Sequence, residues 1–113
     1  MRLSVLPSAR TDIREQIEYY LELDLPRVAD RFQLAVSGSI STVMQHPTAG
    51  SPRRRFHNPA LGGLRAWAVK GFDQFRIYYV VRENTVMVVR VLHDKRDIGA
   101  ILEKQTIDDP GAD

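Results

Sequence analysis

Residues 72–97 read FDQFRIYYVVRENTVMVVRVLHDKRD, and this stretch decides the fold. β-Branched and aromatic residues fill segments 74–81 and 86–92, and the four residues 82–85 between them suit a hairpin turn. Side chains of a strand alternate between the two faces of a sheet. In the first segment this alternation gives two groups, which are Phe75, Ile77, Tyr79 and Val81 on one face and Arg76, Tyr78 and Val80 on the other.

The second segment predicts the partner strand of this hairpin. The same alternation separates its residues into Val86, Val88, Arg90 and Leu92 on one face and Met87, Val89, Val91 and His93 on the other. A further strand is predicted at 64–69, before the turn at 70–73. Because neither face of this sheet is purely polar, we expect helices to cover one face and a partner molecule to cover the other.

Upstream of the sheet, the apolar residues recur with the period of helices. A short strand at 3–6 precedes a helix from Ala9 to about Leu23, for which Ser8 is the expected N-cap. The inner stripe of this helix is Ala9, Ile13, Ile17 and Leu21. A second helix begins near Pro26 and ends before Pro47, and its inner stripe is Val28, Phe32, Val36, Ile40 and Val43.

One glycine interrupts the second helix. Gly38 lowers the stability of the helix by about 1 kcal/mol relative to alanine, unless a close approach of the two helices requires a glycine there. The complete order is β-α-α-β-β-β, which predicts an α+β domain. Its helical hairpin would pack on a three- to four-stranded antiparallel sheet. We expect one domain over residues 1–105 and a flexible tail over residues 106–113, where the sequence DDPG occurs.

The composition excludes several classes of protein. The chain has 113 residues, of which 43% are hydrophobic and 27% are charged, and it has no cysteine. A disulfide scaffold, a thiolate zinc site and a cysteine nucleophile are therefore excluded. No apolar run approaches the length of a membrane span, and the first residues are too short an apolar stretch for a signal peptide. These features predict a cytoplasmic protein without membrane contact.

Basic residues concentrate in the second half of the chain. Residues 51–104 carry a net charge of +6, whereas residues 1–50 carry −1 and residues 105–113 carry −3. Guanidinium and ammonium groups make charge-assisted hydrogen bonds to phosphates and carboxylates, so this half suits an acidic partner. The candidate binding residues are Arg65, Trp67, Arg76, Tyr78, His93, Lys95 and Arg96, and the loop adds the run Arg53–Arg55.

Each candidate also has a structural interpretation. Asp97 would tie the strand ends together by pairing with Arg65 or Arg76, and Trp67 would be a core residue. A structural role is favoured for His93, which ends an otherwise apolar face. The three histidines are scattered, without zinc-like spacing, so neither a metal nor a cofactor is expected.

The order of short motifs along residues 3–102 resembles a known family. The motifs are Ala9-x-x-Asp12-Ile13-x-x-x-Ile17-x-x-Tyr20, Ala29-x-x-Phe32, His46-Pro47-x-x-Gly50, Leu64-Arg65, the run from Phe72 to Tyr79, and Val89-Arg90-Val91-Leu92-His93-x-x-Arg96-Asp97. Together they are similar to the RelE/ParE superfamily of type II toxin–antitoxin modules, and more closely to its ParE branch. The resemblance implies a bacterial toxin that forms a hetero-oligomer with a cognate antitoxin, whose C-terminal segment wraps the helical hairpin and sheet. It implies contact with operator DNA only through the antitoxin.

The two branches of the superfamily differ in mechanism. RelE-like members resemble ribosome-dependent mRNA endonucleases, and on that alternative Arg65, Arg76, His93 and Arg96 would be catalytic. The resemblance to that branch is incomplete, because 98–102 has no aromatic residue and 64–69 has Arg65 as its only cation. ParE-like members resemble inhibitors of DNA gyrase that act by binding, and this interpretation, with no catalytic residue, is the favoured one. A non-toxic relative that only binds antitoxin and helps to repress its operon is the remaining alternative.

Overall fold

A computed structural model describes residues 1–53 and 57–107. The helices are α1 (Pro7–Glu22), α2 (Pro26–Gln45) and α3 (Ile98–Glu103), with a 3-10 turn at Pro59–Leu61. The strands are β1 (Arg2–Val5), β2 (Ser51–Pro52), β3 (Arg65–Val69), β4 (Phe72–Arg82) and β5 (Thr85–His93). The predicted α+β class and the predicted helical hairpin are therefore confirmed.

The sheet has more strands than the sequence predicts. Its order is β1-β5-β4-β3-β2, and β1 lies parallel to β5 with Arg2 opposite Thr85 and Val5 opposite Val88. The other neighbours are antiparallel. The sheet is thus mixed and five-stranded, rather than antiparallel with three or four strands. The difference arises because β1 pairs with a strand about 80 residues away and β2 has only two residues, so neither pairing leaves a local signal.

The first helix differs in detail from its prediction. Pro7 is its first residue, and the hydroxyl of Ser8 donates a hydrogen bond to the carbonyl of Val89 (2.9 Å) instead of capping the helix. Leu21, predicted to lie on the inner stripe, is half exposed, and Tyr20 takes the inner position. The ring of Tyr20 meets Phe32 edge to face at 5.7 Å. At its last turn, the helix therefore packs on the core through Ile17 and Tyr20, which are three residues apart, and not through Ile17 and Leu21.

A β-bulge in β5 changes which residues share a face. Tyr78 lies opposite Arg90, but Tyr79 lies opposite Val88, so Val89 is an extra residue without its own partner. As a result, Val91 packs in the same cluster as Val86 and Val88, and Leu92 packs with Val89 on the other face. The predicted alternation in β5 is correct before the bulge and wrong after it.

Both faces of the sheet are covered by the chain itself. The face under α1 and α2 holds an aromatic cluster that includes Phe32 and Phe75, with ring centroids 5.1 Å apart. On the opposite face, Leu61 of the 3-10 turn and Leu102 of α3 cover the strands. The expectation that a partner covers this second face is wrong, because a third helix after β5, which the sequence analysis did not predict, provides the apolar side chains.

One side chain connects the two segments that cover the second face. The amide nitrogen of Asn58 donates to the carbonyls of Leu102 (2.8 Å) and Gln105 (2.9 Å), while its oxygen accepts from the N–H of Ala60 (3.1 Å). Ile107 also packs against this face. The rest of the predicted tail, residues 108–113, lies outside the described residues, as do Arg54 and Arg55 of the loop. Within the described residues, no helix has the length and apolar character needed to cross a membrane.

Candidate partner-binding surface

The middle of β5 is tied to α1 by a buried ion pair. The carboxylate of Asp12 accepts bonds from Nε and Nη2 of Arg90, each at 2.7 Å, and from the backbone N–H of Val91 at 2.9 Å. The side chains of Asp12 and Arg90 are only 5% and 17% exposed. A forked pair of this kind is geometrically specific, and it fixes α1 across the sheet. The guanidinium of Arg90 therefore has a structural role in holding α1 against β5.

Arg65 is engaged with the loop that follows α2. Its Nη1 donates to the carbonyls of Thr48 (3.0 Å) and Gly50 (2.8 Å). The hydroxyl of Tyr79, the residue opposite Arg65 in β4, donates to the carbonyl of Pro47 (2.8 Å) and accepts from the N–H of Gly50 (3.0 Å). Burial raises the pKa of Tyr79, and the Gly50 hydrogen bond opposes that rise. Arg65 thus holds a loop in place.

Gly50 is required at that contact. A Cβ on Gly50 would lie 2.5 Å from the hydroxyl oxygen of Tyr79, which is closer than real Cβ contacts come. Pro47 and Gly50 belong to no strand or helix, so the Pro47 carbonyl and the Gly50 N–H have no partner in regular secondary structure. The hydroxyl of Tyr79 supplies a hydrogen-bond partner for both groups. The sequence motif His46-Pro47-x-x-Gly50 therefore has a structural explanation.

Arg76 pairs with a residue that the sequence analysis did not select. Its Nη1 donates to Oδ1 of Asp94, and this hydrogen bond raises the pKa of Arg76. Asp97, the predicted partner of Arg65 or Arg76, instead caps α3 by accepting from the N–H of Ala100 (3.2 Å). The predicted ion pair of Asp97 with Arg65 or Arg76 is therefore wrong. Asp97 immediately precedes α3, and its carboxylate accepts a hydrogen bond from a backbone N–H of the first turn, which has no partner within the helix.

The imidazole of His93 has both nitrogens in hydrogen bonds. Its Nδ1 accepts from the backbone N–H of Lys95 (3.0 Å), so that nitrogen carries no proton. In the neutral ring the proton is then on Nε2, which donates to Oε1 of Gln74 (3.0 Å). The ring also packs edge to face on Phe75 at 4.9 Å. This arrangement orients His93 and leaves it no free lone pair with which to act as a base.

Beyond His93, two cations face solvent beside an aromatic ring. A cavity of about 600 Å³, here called the strand-end cleft, is lined by residues that include Tyr19, Gln74, His93, Lys95 and Arg96. Lys95 and Arg96 are exposed, and Tyr19 is 52% exposed. Within the described residues, neither cation makes an ion pair. Tyr19 is not among the residues predicted from the sequence, because nothing local indicates that it lies next to residues more than 70 positions later.

The remaining two candidates lie elsewhere on the sheet. Trp67 is half-buried on the helix-covered face, and it lines a groove between α2 and β3. Tyr78 is 4% exposed in the core of the opposite face, where burial raises its pKa and the charges of Arg53 and Arg76 oppose the rise. Its burial removes Tyr78 from any contact surface. The candidate residues therefore form a strand-end cleft and separate structural contacts, and not one cationic cluster.

The architecture defines a class of protein: a helical hairpin crosses one face of a small mixed sheet, and solvent-facing cations lie at one end of its long β4–β5 hairpin. Residues 3–98 match the family model of the ParE toxin of type II toxin–antitoxin systems (parDE), so the chain belongs to the ParE toxin family. No curated protein matches the sequence. Among solved structures, a chain of a chromosomal ParDE system from P. aeruginosa is similar, with a TM-score of 0.66 and 17% identity. The match covers 82% of this chain and 95% of that chain, and it confirms the fold.

Proposed function

We propose that this member of the toxin family inhibits DNA gyrase in the cytoplasm by binding it through the strand-end cleft. The observation that supports this proposal is the exposure of Lys95 and Arg96 beside the ring of Tyr19, in a region where the other cations are already paired. Exposed guanidinium and aromatic groups are the side chains that dominate protein–protein contacts. Cations without an intramolecular partner are available to carboxylates or to DNA phosphates in a gyrase complex.

Binding suits the geometry better than RNA cleavage does. Cleavage of RNA through its 2′-hydroxyl needs a base and a transition-state cation directed at one phosphate. The nitrogens of His93 are occupied, Arg76 is paired with Asp94, and Arg65 is bonded to a loop carbonyl at Gly50. Among the four alternative catalytic residues, Arg96 alone has a side chain without a hydrogen bond or ion pair within the described residues. A single cation favours recognition over catalysis.

Two assays of the purified protein test the target. A supercoiling assay with gyrase should show inhibition, and a translation-dependent RNA cleavage assay should show no cuts. The double variant Lys95→Ala/Arg96→Ala should relieve gyrase inhibition by about tenfold or more, because two charge-assisted contacts are lost. Lys104→Ala, which removes an exposed cation outside the cleft, is the matched control and should inhibit as the wild type does. Codon-dependent RNA cuts with normal supercoiling would overturn the gyrase proposal.

The antitoxin part of the proposal has separate support. The helical hairpin exposes several large apolar side chains, namely Leu21, Leu23, Leu25 and Leu34. Leu21, Leu23 and Leu25 fall within five consecutive residues at the turn of the hairpin, and exposed apolar side chains grouped in this way are typical of an interaction site. We therefore expect the product of the neighbouring gene to bind the hairpin, to neutralise the toxin and to mediate any contact with operator DNA. Coexpression should restore growth and yield a hetero-oligomer. If the protein alone never arrests growth yet still binds that product, it is the non-toxic relative.

A further inference from the structure

The two solvent-facing cations of the strand-end cleft lie in the turn between β5 and α3. Residues 93–97 read HDKRD, without the glycine or proline that fixes the backbone of many turns. Within the described residues, the side chains of Lys95 and Arg96 make no hydrogen bond or ion pair that would hold them in place. The direction of both cations therefore depends on the contacts that hold the main chain of this turn.

His93 makes the hydrogen bonds that close this turn. Its carbonyl accepts from the backbone N–H of Arg96 (3.0 Å), and its Nδ1 accepts from the backbone N–H of Lys95 (3.0 Å). Asparagine and aspartate are favoured at the first position of a turn, because a side-chain oxygen there accepts from the N–H two residues later. The imidazole Nδ1 takes the place of that oxygen, and the two N–H groups that His93 binds are those of the two cationic residues.

The ring of His93 is itself fixed to β4. It lies opposite Phe75 and packs edge to face on that ring, with the centroids 4.9 Å apart. Its Nε2 donates to the side-chain oxygen of Gln74 (3.0 Å), and the carbonyl of Gln74 accepts from the backbone N–H of Asp94 (2.8 Å). Because Nε2 carries the proton of the neutral ring, Nδ1 keeps the lone pair that the turn requires.

The other side-chain contact of the turn contributes less. Asp94 pairs with Arg76, but both side chains are open to water, and exposed ion pairs stabilise little. This pair also holds position 94, whereas the cations are at positions 95 and 96. Within the described residues, the imidazole of His93 is therefore the one side chain that bonds to the main chain of the two cationic residues.

We propose that His93 is a positioning residue of the strand-end cleft, whose unprotonated Nδ1 holds the turn 93–96 in the form that presents Lys95 and Arg96 to the binding partner beside Tyr19. The proposal rests on the proposed function for the identity of that partner, which is gyrase. It separates two properties of one ring: the packing of the ring stabilises the free toxin, and its lone pair prepares the cleft for binding. Without the hydrogen bond to Nδ1 both cations remain, but they are no longer preorganised, and the affinity falls.

Two matched variants of His93 separate the acceptor from the ring. His93→Asn keeps an acceptor for the N–H of Lys95 and loses the packing on Phe75, whereas His93→Phe keeps the packing and loses the acceptor. His93→Asn should lower the Tm of the free toxin by about 4 °C, because an aromatic pair is lost. It should nevertheless bind the complex of gyrase with DNA within about twofold of wild type, since the turn is kept.

His93→Phe should show the opposite behaviour. Its Tm should fall less than that of His93→Asn, because Lys95 is exposed and water can solvate its N–H. Its affinity for the complex of gyrase with DNA should fall about fivefold, which corresponds to about 1 kcal/mol and to the loss of one hydrogen bond. Thermal unfolding and surface plasmon resonance of the full-length variants give the two quantities.

Nuclear magnetic resonance of the free toxin tests the hydrogen bond without gyrase. With the ring neutral, the imidazole ¹⁵N signals should place the proton on Nε2, and the amide of Lys95 should be protected from exchange in wild type and His93→Asn but not in His93→Phe. A proton on Nδ1, equal affinities of the two variants, or weaker binding by His93→Asn than by His93→Phe would overturn the proposal and make His93 a packing residue. A wild-type toxin that does not bind gyrase would contradict the proposed function, and the amide of Lys95 would still show whether His93 holds the turn.

Discussion

The β4–β5 hairpin uses charged residues differently at its middle and at its end. In the middle, Arg90 is bonded through two nitrogens to the buried carboxylate of Asp12. At the end, Arg76 makes an ion pair with Asp94 that is open to water, and Arg96 projects into solvent. Burial accounts for the difference, because a charge removed from water must be paired whereas an exposed charge need not be. A basic composition therefore overstates the cationic surface of this hairpin, and among its described residues the solvent-facing cations, Lys95 and Arg96, lie at its end.

The largest effect should follow from placing a charge in the middle of the hairpin. Ile77 is fully buried on the helix-covered face of β4. We expect Ile77→Asp to abolish cooperative unfolding and to lower the free energy of unfolding by more than about 4 kcal/mol, because the buried carboxylate would have no partner. Thermal unfolding followed by circular dichroism measures this. Ile77→Val should cost only about 1 kcal/mol. If the Ile77→Asp protein still unfolded cooperatively, position 77 would not belong to the core.

Removing one acid from each region compares them directly. Asp12→Ala leaves the guanidinium of Arg90 buried and unpaired, and it should lower the free energy of unfolding by about 3–5 kcal/mol. Asp94→Ala also deprives an arginine of its partner, but Arg76 is open to water and the loss should be below about 1 kcal/mol. Urea denaturation of both variants gives the two values. Equal losses would mean that burial does not distinguish the middle from the end.

A tyrosine beside the middle of the hairpin should give a smaller, pH-dependent effect. Tyr79→Phe leaves the N–H of Gly50 without its partner, and we expect a loss of about 1–3 kcal/mol at neutral pH. The raised pKa of Tyr79 also has a consequence for the wild type. Its contribution to stability is complete below the unfolded pKa of about 10 and is lost as pH rises through the folded pKa.

Denaturation at neutral pH and at pH values above about 10 separates the two contributions of Tyr79. The wild type should lose stability on that rise, and Tyr79→Phe should lose less. Tyr19→Phe is the control, since the ring of Tyr19 is half exposed and makes no hydrogen bond within the described residues. An unchanged alkaline slope in Tyr79→Phe would assign the loss to other groups.

The sequence predicts the elements whose signals are local. The apolar period from Phe32 to Val43 and the alternation along residues 75–81 and 86–88 each depend on neighbouring residues, and both match the structure. Long-range pairing is what the sequence does not reveal. β1 finds β5 across most of the chain, and Asp12 meets Arg90 at a separation of 78 residues. The bulge at Val89 leaves no distinct residue type, yet it reverses the face of every residue after it.

The candidate site was harder to predict for the same reason. A list of basic residues does not show which of them the fold has already paired, because their acids lie in other elements. Arg65 and Arg96 look alike in sequence, but the first bonds to the loop carbonyls of Thr48 and Gly50 and the second faces water. Tyr19 entered the surface only through the packing of α1 beside β5.

The smallest effect on stability should accompany a large effect on function. Arg96→Ala removes an exposed side chain without an ion pair in the described residues, so its free energy of unfolding should stay within about 0.5 kcal/mol of wild type. Growth arrest on expression should nevertheless weaken, because the end of the hairpin loses one of its two solvent-facing cations. Arg65→Ala is the comparison variant. It removes two hydrogen bonds to loop carbonyls and should lower the free energy of unfolding by about 1 kcal/mol or more. Urea denaturation and plating efficiency, measured on both variants, give the comparison. An Arg96→Ala protein that unfolds early, or one that stays fully toxic, would remove the distinction between a structural middle and a binding end.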